Sequence, residues 1–445
     1  MRLRTTYKQI FNISIPIMFG SAAQNIVALS DSIFLYHLSE SDFAAIGFIG
    51  VFYLIIAAVG YGFSKGGQIL IARRYGERDY EAIGNTFYAL AWFEFFLAIV
   101  MFLIMQFAVP VVFKWFIDSP IIYEKSIQYL IPRSYGVFFS YIGVVILALY
   151  MGIAKPKFIF IDTAILAISN IALDYALIFG KWGFPQMGIA GAAWASTIAE
   201  VLGFSAFVIY MFFDKDLVPF HLNKLHRYSI ALMKKIYKIS TPIVGQAVLG
   251  MGSWFIFFSL IENLGERALA TSNLIRITYL TLSIPAWGYS SAINTLVSNF
   301  IGARKRQAVW PIIAKTAKLS VANTLLVALP VCLLPTIVLY PFFGGEDLSL
   351  IRESKAIFLL LIGIMVLFSY GLIIFNGVLG TGASYLALKV QAIGVFIYLL
   401  YLYILINVFH GSVLLAWGSE IIYWTFTILV LRRYLKSDKW KHIKH

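Results

Sequence analysis

The sequence predicts an all-α polytopic membrane protein of twelve transmembrane helices, six followed by six. Three observations carry this. The 445 residues are 60% hydrophobic and only 13% charged, with a mean hydropathy of +0.84, which is too apolar for a water-soluble fold. Apolar stretches long enough to cross a bilayer, at about 1.5 Å per helical residue, recur along the whole chain. Finally, the stretch Ser14–Ile83 returns without a gap as Ser240–Val309.

At this fixed shift Ser14, Pro16, Leu38, Glu40, Gly62, Ser64, Gly76 and Arg78 meet Ser240, Pro242, Leu264, Glu266, Gly288, Ser290, Gly302 and Arg304. Apolar matches mean little in so greasy a chain. The Pro, Gly and Arg matches carry weight, because backbone geometry or membrane topology restricts the choice there. Two copies of one helical unit in a membrane are a transporter pattern, with a site within or between the halves. Asp31 on the first helix faces Phe257 in the second copy, so the chemistry is expected in the first half.

Taken in order, the apolar stretches fall near 10–37, 43–72, 84–116, 130–151, 158–180 and 188–213, then near 236–261, 268–300, 310–343, 355–379, 386–409 and 411–432. The expected organisation is an N-lobe over 1–213, a cytoplasmic linker over 214–238, a C-lobe over 239–433 and a basic tail over 434–445. The linker holds His221, Lys224, His226, Arg227, Lys234 and Lys235 and reads as an amphipathic surface helix. Gly188, Ala192 and Ser196, with Gly191, Ala195 and Ala199 beside them, form a small-residue face for close helix packing.

Orientation follows from Lys and Arg. With a cytoplasmic N-terminus the inner segments hold Arg73, Arg74, Arg78, Lys155, Lys157, the linker cluster, Arg304, Lys305, Arg306 and the tail. The outer loops hold Lys181, Arg267, Arg352, Lys355 and the Lys114–Arg133 connection. Both termini are thus expected in the cytoplasm. The first apolar stretch is too long for a signal peptide core and lacks a cleavage pattern, so the N-terminus is expected to be retained.

Other classes fall away. The net charge of +14 sits in short turns and the tail as topology requires, so it argues for a bilayer partner and against nucleic acid. The single cysteine, Cys332, excludes an internal disulfide or cysteine metal site. The six histidines form no helical metal pair, and no HExxH, nucleophile elbow or P-loop occurs, so neither an enzyme nor an ATP-driven pump is expected. An ion gradient is left as the energy source.

Counting inward from the outer helix ends places Asp31, Asp174 and Ser196 roughly 9–12 Å deep. Asn170 lies one turn below Asp174 and Gln24 two turns below Asp31 on the same faces. Two buried carboxylates with an Asn and a Gln at one level suit reversible binding of a proton or cation. The plain alternative is a hydrogen-bonded network near the interface.

The run NIALDYALIFGKWGFPQMGIAGAAWAST, Asn170–Thr197, resembles the fifth-to-sixth-helix signature of the MATE (multidrug and toxic compound extrusion) transporters. SIPIMFGSAAQNIVALSDSIFL, Ser14–Leu35, is similar to their first helix, and the turns GERDYEAI, GARKRQAV and VLGTGA to theirs after helices two, eight and ten. The resemblance implies two pseudo-symmetric six-helix lobes around a central cavity. It implies cation coupling at Asp31, Asn170 and Asp174, neighbouring roles for Gln24 and Ser196, and a helix kink at Pro16. Two departures stand out: Val27 lies where a polar or aromatic residue would be expected, and the tenth helix, Ala356–Val378, has no acid. An N-lobe coupling site follows better than a C-lobe sodium site.

Glu262, Arg276 and Glu420 are the C-lobe's outer polar residues, where an ion pair is expected rather than a second site. Glu94 and Glu200 lie nearer mid-membrane, either as cavity acids that attract cations or as hydrogen-bonded packing groups. The expected function is a secondary antiporter of the inner membrane. It would export cationic or amphipathic organic compounds in exchange for H⁺, or Na⁺ less readily, as a monomer without cofactor or metal. A flippase for lipid-linked oligosaccharide, from the same superfamily, is the alternative; its phosphates would call for an arginine cluster where the N-lobe offers acids.

Overall fold

Short polar caps punctuate the apolar runs. Ser39 Oγ accepts the Asp42 N–H at the head of the second helix, the Asp79 carboxylate accepts that of Ala82 at the third, and Ser119 Oγ accepts that of Ile122 at the fifth. The computed structural model describes residues 6–117, 119–222, 229–338, 348–437 and 440–441, and every regular element among them is helical. The α-helices are α1 Tyr7–Leu38, α2 Glu40–Glu77, α3 Tyr80–Leu103, α4 Val109–Phe116, α5 Pro120–Gly152, α6 Lys157–Phe179, α7 Ile189–Phe213 and α8 Ile230–Glu262. They continue as α9 Glu266–Leu282, α10 Ile284–Gly302, α11 Val309–Leu333, α12 Leu348–Glu353, α13 Lys355–Gly380, α14 Ser384–Asn407, α15 Val413–Trp417 and α16 Ser419–Lys436.

Among the described residues ten spans are long and apolar enough to cross a membrane. With the 32-residue α1 and the α9–α10 pair they fill the six-plus-six plan. The structure departs from the expected spans where single residues intervene. Span eight breaks at Ser283 because Pro285 follows it, whereas the first copy has Val59 there and α2 runs on. Span three carries a π-turn, Ile104–Ala108, before Pro110.

Two expectations are corrected. α5 starts at Pro120, well before the apolar window, so Arg133 lies inside a helix rather than in an outer loop. The separate linker helix is not present among the described residues: Lys215–Phe220 is a 3₁₀ turn, and Lys234 and Lys235 already belong to α8. Lys224, His226 and Arg227 lie outside the described residues.

The chain divides into two compact units, Ile15–Thr241 and Met1–Ser14 with Pro242–His445. The division falls beside Pro16 in α1 and beside Pro242 in α8. Within the first unit α2 packs on α5, α5 on α7 and α6 on α7; within the second α10 packs on α13, α13 on α16 and α14 on α16. The two copies thus use the same pairings. Both copies also end their second span on an arginine in the left-handed region, Arg78 at φ 61° and Arg304 at φ 58°. The matched Gly76 and Gly302 are still helical. On α7, Gly191 lets α6 come close: a Cβ there would lie 2.6 Å from the Leu177 carbonyl oxygen.

Candidate coupling site and N-lobe cavity

Five helices of the Ile15–Thr241 unit supply the site. α1 carries Asp31, α2 Tyr53, α5 Arg133, α6 Asp162, Asn170 and Asp174, and α7 Ser196 and Glu200. Asn170 and Asp174 are one helical turn apart and wholly buried, and Asp31 is 8% exposed. With its amide turned to satisfy every neighbour, Asn170 donates from Nδ2 to Asp31 Oδ1 at 3.1 Å and to Asp174 Oδ2 at 3.2 Å. Its Oδ1 then accepts from Ser196 Oγ at 3.1 Å. The Asp31 and Asp174 carboxyls lie within hydrogen-bonding reach of one another, and Asp174 Oδ1 has no partner. Two carboxylates in contact away from water cannot both stay charged without a proton or cation between them.

Asp31 and Ser196 also border a cavity of about 410 Å³ within the same unit. Its wall is largely aromatic and apolar, with Tyr61, Phe139, Tyr141 and Phe204 among the lining side chains. Three acids reach it, Asp31, Asp162 and Glu200, against one base, Arg133. That base is engaged: Nη1 and Nη2 donate to Glu200 Oε2 and Oε1, and the guanidinium lies 4.0 Å from the Tyr53 ring centroid.

Comparison with known proteins places the chain in a family. The family model described as MatE matches twice, over residues 16–176 and 242–404, the second match beginning where the internal repeat begins again. The chain belongs to the MatE family. It is 27% identical to the "Probable multidrug resistance protein NorM" of Thermotoga maritima over 98% of this chain and 93% of that protein. It is 26% identical to the protein of the same description from Synechocystis sp., over 72% and 68% of the two chains. In fold it is similar to a structure described as the outward-facing conformation of a multidrug resistance MATE family transporter of the MOP superfamily, at TM-score 0.86, 20% identity and coverage of 97% and 96%.

The two MatE matches also let the lobes be compared at the site. Their starts are offset like Pro16 and Pro242, and their ends like Ala176 and Ile404. Asp31, Asn170 and Asp174 thereby correspond to Phe257, Tyr398 and Leu402. All three are buried, Phe257 stacks on Tyr398 at 6.3 Å, and its edge meets Trp417 at 5.2 Å. An aromatic ring, a phenol and an aliphatic chain thus stand at the C-lobe positions that correspond to the N-lobe acids and their asparagine.

The remaining sequence-predicted residues fall as follows. Gln24's side chain lies outside the described residues. Pro16 sits within α1, which stays helical on both sides of it. Glu200 lines the cavity; Glu94 does not, being wholly buried on α3 with both carboxyl oxygens unpartnered. The expected C-lobe ion pair does not form among the described residues. Glu262 is exposed at the end of α8, Arg276 lies over the Phe258 ring at 5.5 Å, and Glu420 accepts the Trp424 indole N–H at 3.0 Å. Equal depth brought these three to one level, but their helix faces point them apart. Arg133 and Asp162 were missed; a charged residue inside a span was the available signal for both.

Proposed function

We propose that this MatE-family chain is a secondary antiporter of the cell membrane, monomeric, with both termini in the cytoplasm. It exports cationic or amphipathic organic compounds in exchange for inward H⁺. The observation that carries the reading is the double role of Asp31, which borders the cavity and touches Asn170 and Asp174. A proton taken up by the acid pair alters the cavity wall where a compound would lie, so loading and release become linked. The relatives described as multidrug resistance proteins support the class of cargo.

Among the described residues the cluster offers two carboxyls in contact, one amide and one hydroxyl, a set that can hold a proton shared between its acids. Phosphate-bearing lipid cargo is disfavoured, since the cavity's one arginine is already held by Glu200.

The test is efflux of a fluorescent cation from inverted vesicles with pH and sodium gradients imposed separately. A pH gradient alone should drive it, and Asp174→Asn should insert normally yet lose that response. Efflux driven by sodium alone, or retained in full by Asp174→Asn, would overturn the reading.

A further inference from the structure

Asp162 on α6 lines the N-lobe cavity, and the coupling cluster does not use it. It precedes Asp174 by three helical turns and a little more, which puts the two about 18 Å apart along the same helix. The cavity wall touches both Asp162 and Asp31, so it reaches from the level of the acid pair down most of α6. The other charged groups on that wall are occupied: Arg133 and Glu200 by each other, Asp31 by Asn170. Asp162 has no hydrogen-bond or ion-pair partner among the described residues.

The opposing helix leaves room beside it. A Cβ added at Gly203 on α7 would stand 3.1 Å from Asp162 Oδ1 and 3.7 Å from Leu166, so a side chain there would crowd the carboxylate that glycine leaves uncovered on that flank. Leu166 lies one turn further along α6, and Phe204 and Phe207 of α7 line the same space. A lone carboxylate on an apolar, aromatic wall within a membrane is costly unless a cation comes to it. Aromatic rings on the same cavity wall favour an organic cation over a hydrated metal ion.

We infer that Asp162 is a specificity-determining residue, the carboxylate that takes the positive head of an aromatic organic cation at the end of the cavity remote from Asp31 and Asp174. The inference rests on the proposed export of organic cations and adds a separate anchoring point to it. Cargo and coupling proton then sit at opposite ends of one cavity and can be bound together. Their coupling runs through the shape of the wall between them, not through competition for one carboxylate.

The experiment measures binding of ethidium, a permanent aromatic cation, to purified full-length protein in nanodiscs, beside the uncharged ring system 6-phenylphenanthridine. Asp162→Asn should weaken ethidium at least tenfold and leave the neutral compound within twofold. Asp162→Glu should recover most of the ethidium affinity, which a merely structural residue would not allow. Equal ethidium affinity in wild type and Asp162→Asn, or equal losses for both probes, overturns the assignment. Wild type that binds no ethidium overturns both this inference and the proposed cargo. If wild type binds it through Asp162 but no ion gradient drives its efflux, the antiport reading fails while the site stands.

Discussion

Arg133 grips both carboxylate oxygens of Glu200, at 2.7 and 2.5 Å, and so ties α5 to α7 beside the cavity. Both side chains are about nine-tenths buried. Removing one partner of such a pair strands a charge and costs about 3–5 kcal/mol, whereas replacing both by apolar groups is often neutral. Glu200→Ala should therefore lower the thermal midpoint of the purified protein by several degrees. Arg133→Leu with Glu200→Leu should recover most of the loss. A double variant no better than the single one would show that the pair contributes more than charge compensation.

Gly191 and Gly47 should respond in opposite directions to alanine. A Cβ at Gly191 runs into the Leu177 backbone, which cannot swing aside, so Gly191→Ala should cost about 1–3 kcal/mol by forcing α6 and α7 apart. At Gly47 nothing lies within 4 Å, so Gly47→Ala should stabilise α2 by up to about 1 kcal/mol through helix propensity. Thermal melts of the two variants side by side check both signs.

Pro16 should matter more than Pro242. A proline within a span frees the carbonyl four residues earlier and eases bending there. Asp31 lies roughly 22 Å further along α1, so a bend moves an acid, whereas the same bend in α8 moves Phe257. Pro16→Ala should slow gradient-driven efflux several-fold with substrate binding preserved, and Pro242→Ala should have a smaller effect. Equal losses in both, or none in Pro16→Ala, would remove a bend in α1 from the mechanism.

Topology can be read by single cysteines in a Cys332→Ser background. Cys332 is the single cysteine of the chain, so that background leaves the introduced thiol alone to react. Ser41→Cys and Lys181→Cys should react with an impermeant reagent from outside, and Lys305→Cys should react only after permeabilisation. Lys181 is exposed and lies outside the left-handed region that its neighbour Gly183 occupies at φ 84°. Labelling of Lys305→Cys in intact cells would reverse the orientation.

Much of the fold was legible because membrane spans write themselves in long apolar runs and the repeat fixed their number. Asp31, Asn170, Asp174 and Ser196 were legible by depth, since each helix rises at a constant rate from a recognisable end. Depth failed where the face decides, as for Glu262, Arg276 and Glu420. Arg133 was missed because the polar first turns of α5 read as a loop, although Ser119 and Pro120 already marked a helix start. Asp162 belongs to no motif; its meaning comes from the cavity and from Gly203 across it, which only the folded chain brings together.

Phe257, Tyr398 and Leu402 stand where the second lobe could have held a carboxyl pair of its own. With one carboxyl pair in contact among the described residues, and one proton passed by it per cycle, the proposed exchange has a fixed stoichiometry, and this limits the gradient the transporter can sustain. One proton traded for one monovalent cation moves no net charge, so the membrane voltage, worth about 2.3 kcal/mol per charge per 100 mV, drops out. Only the pH difference remains, at about 1.4 kcal/mol per unit, or tenfold accumulation outside for each pH unit. A neutral compound exchanged at the same site would recover the voltage as well, and could be held at a steeper gradient than a charged one.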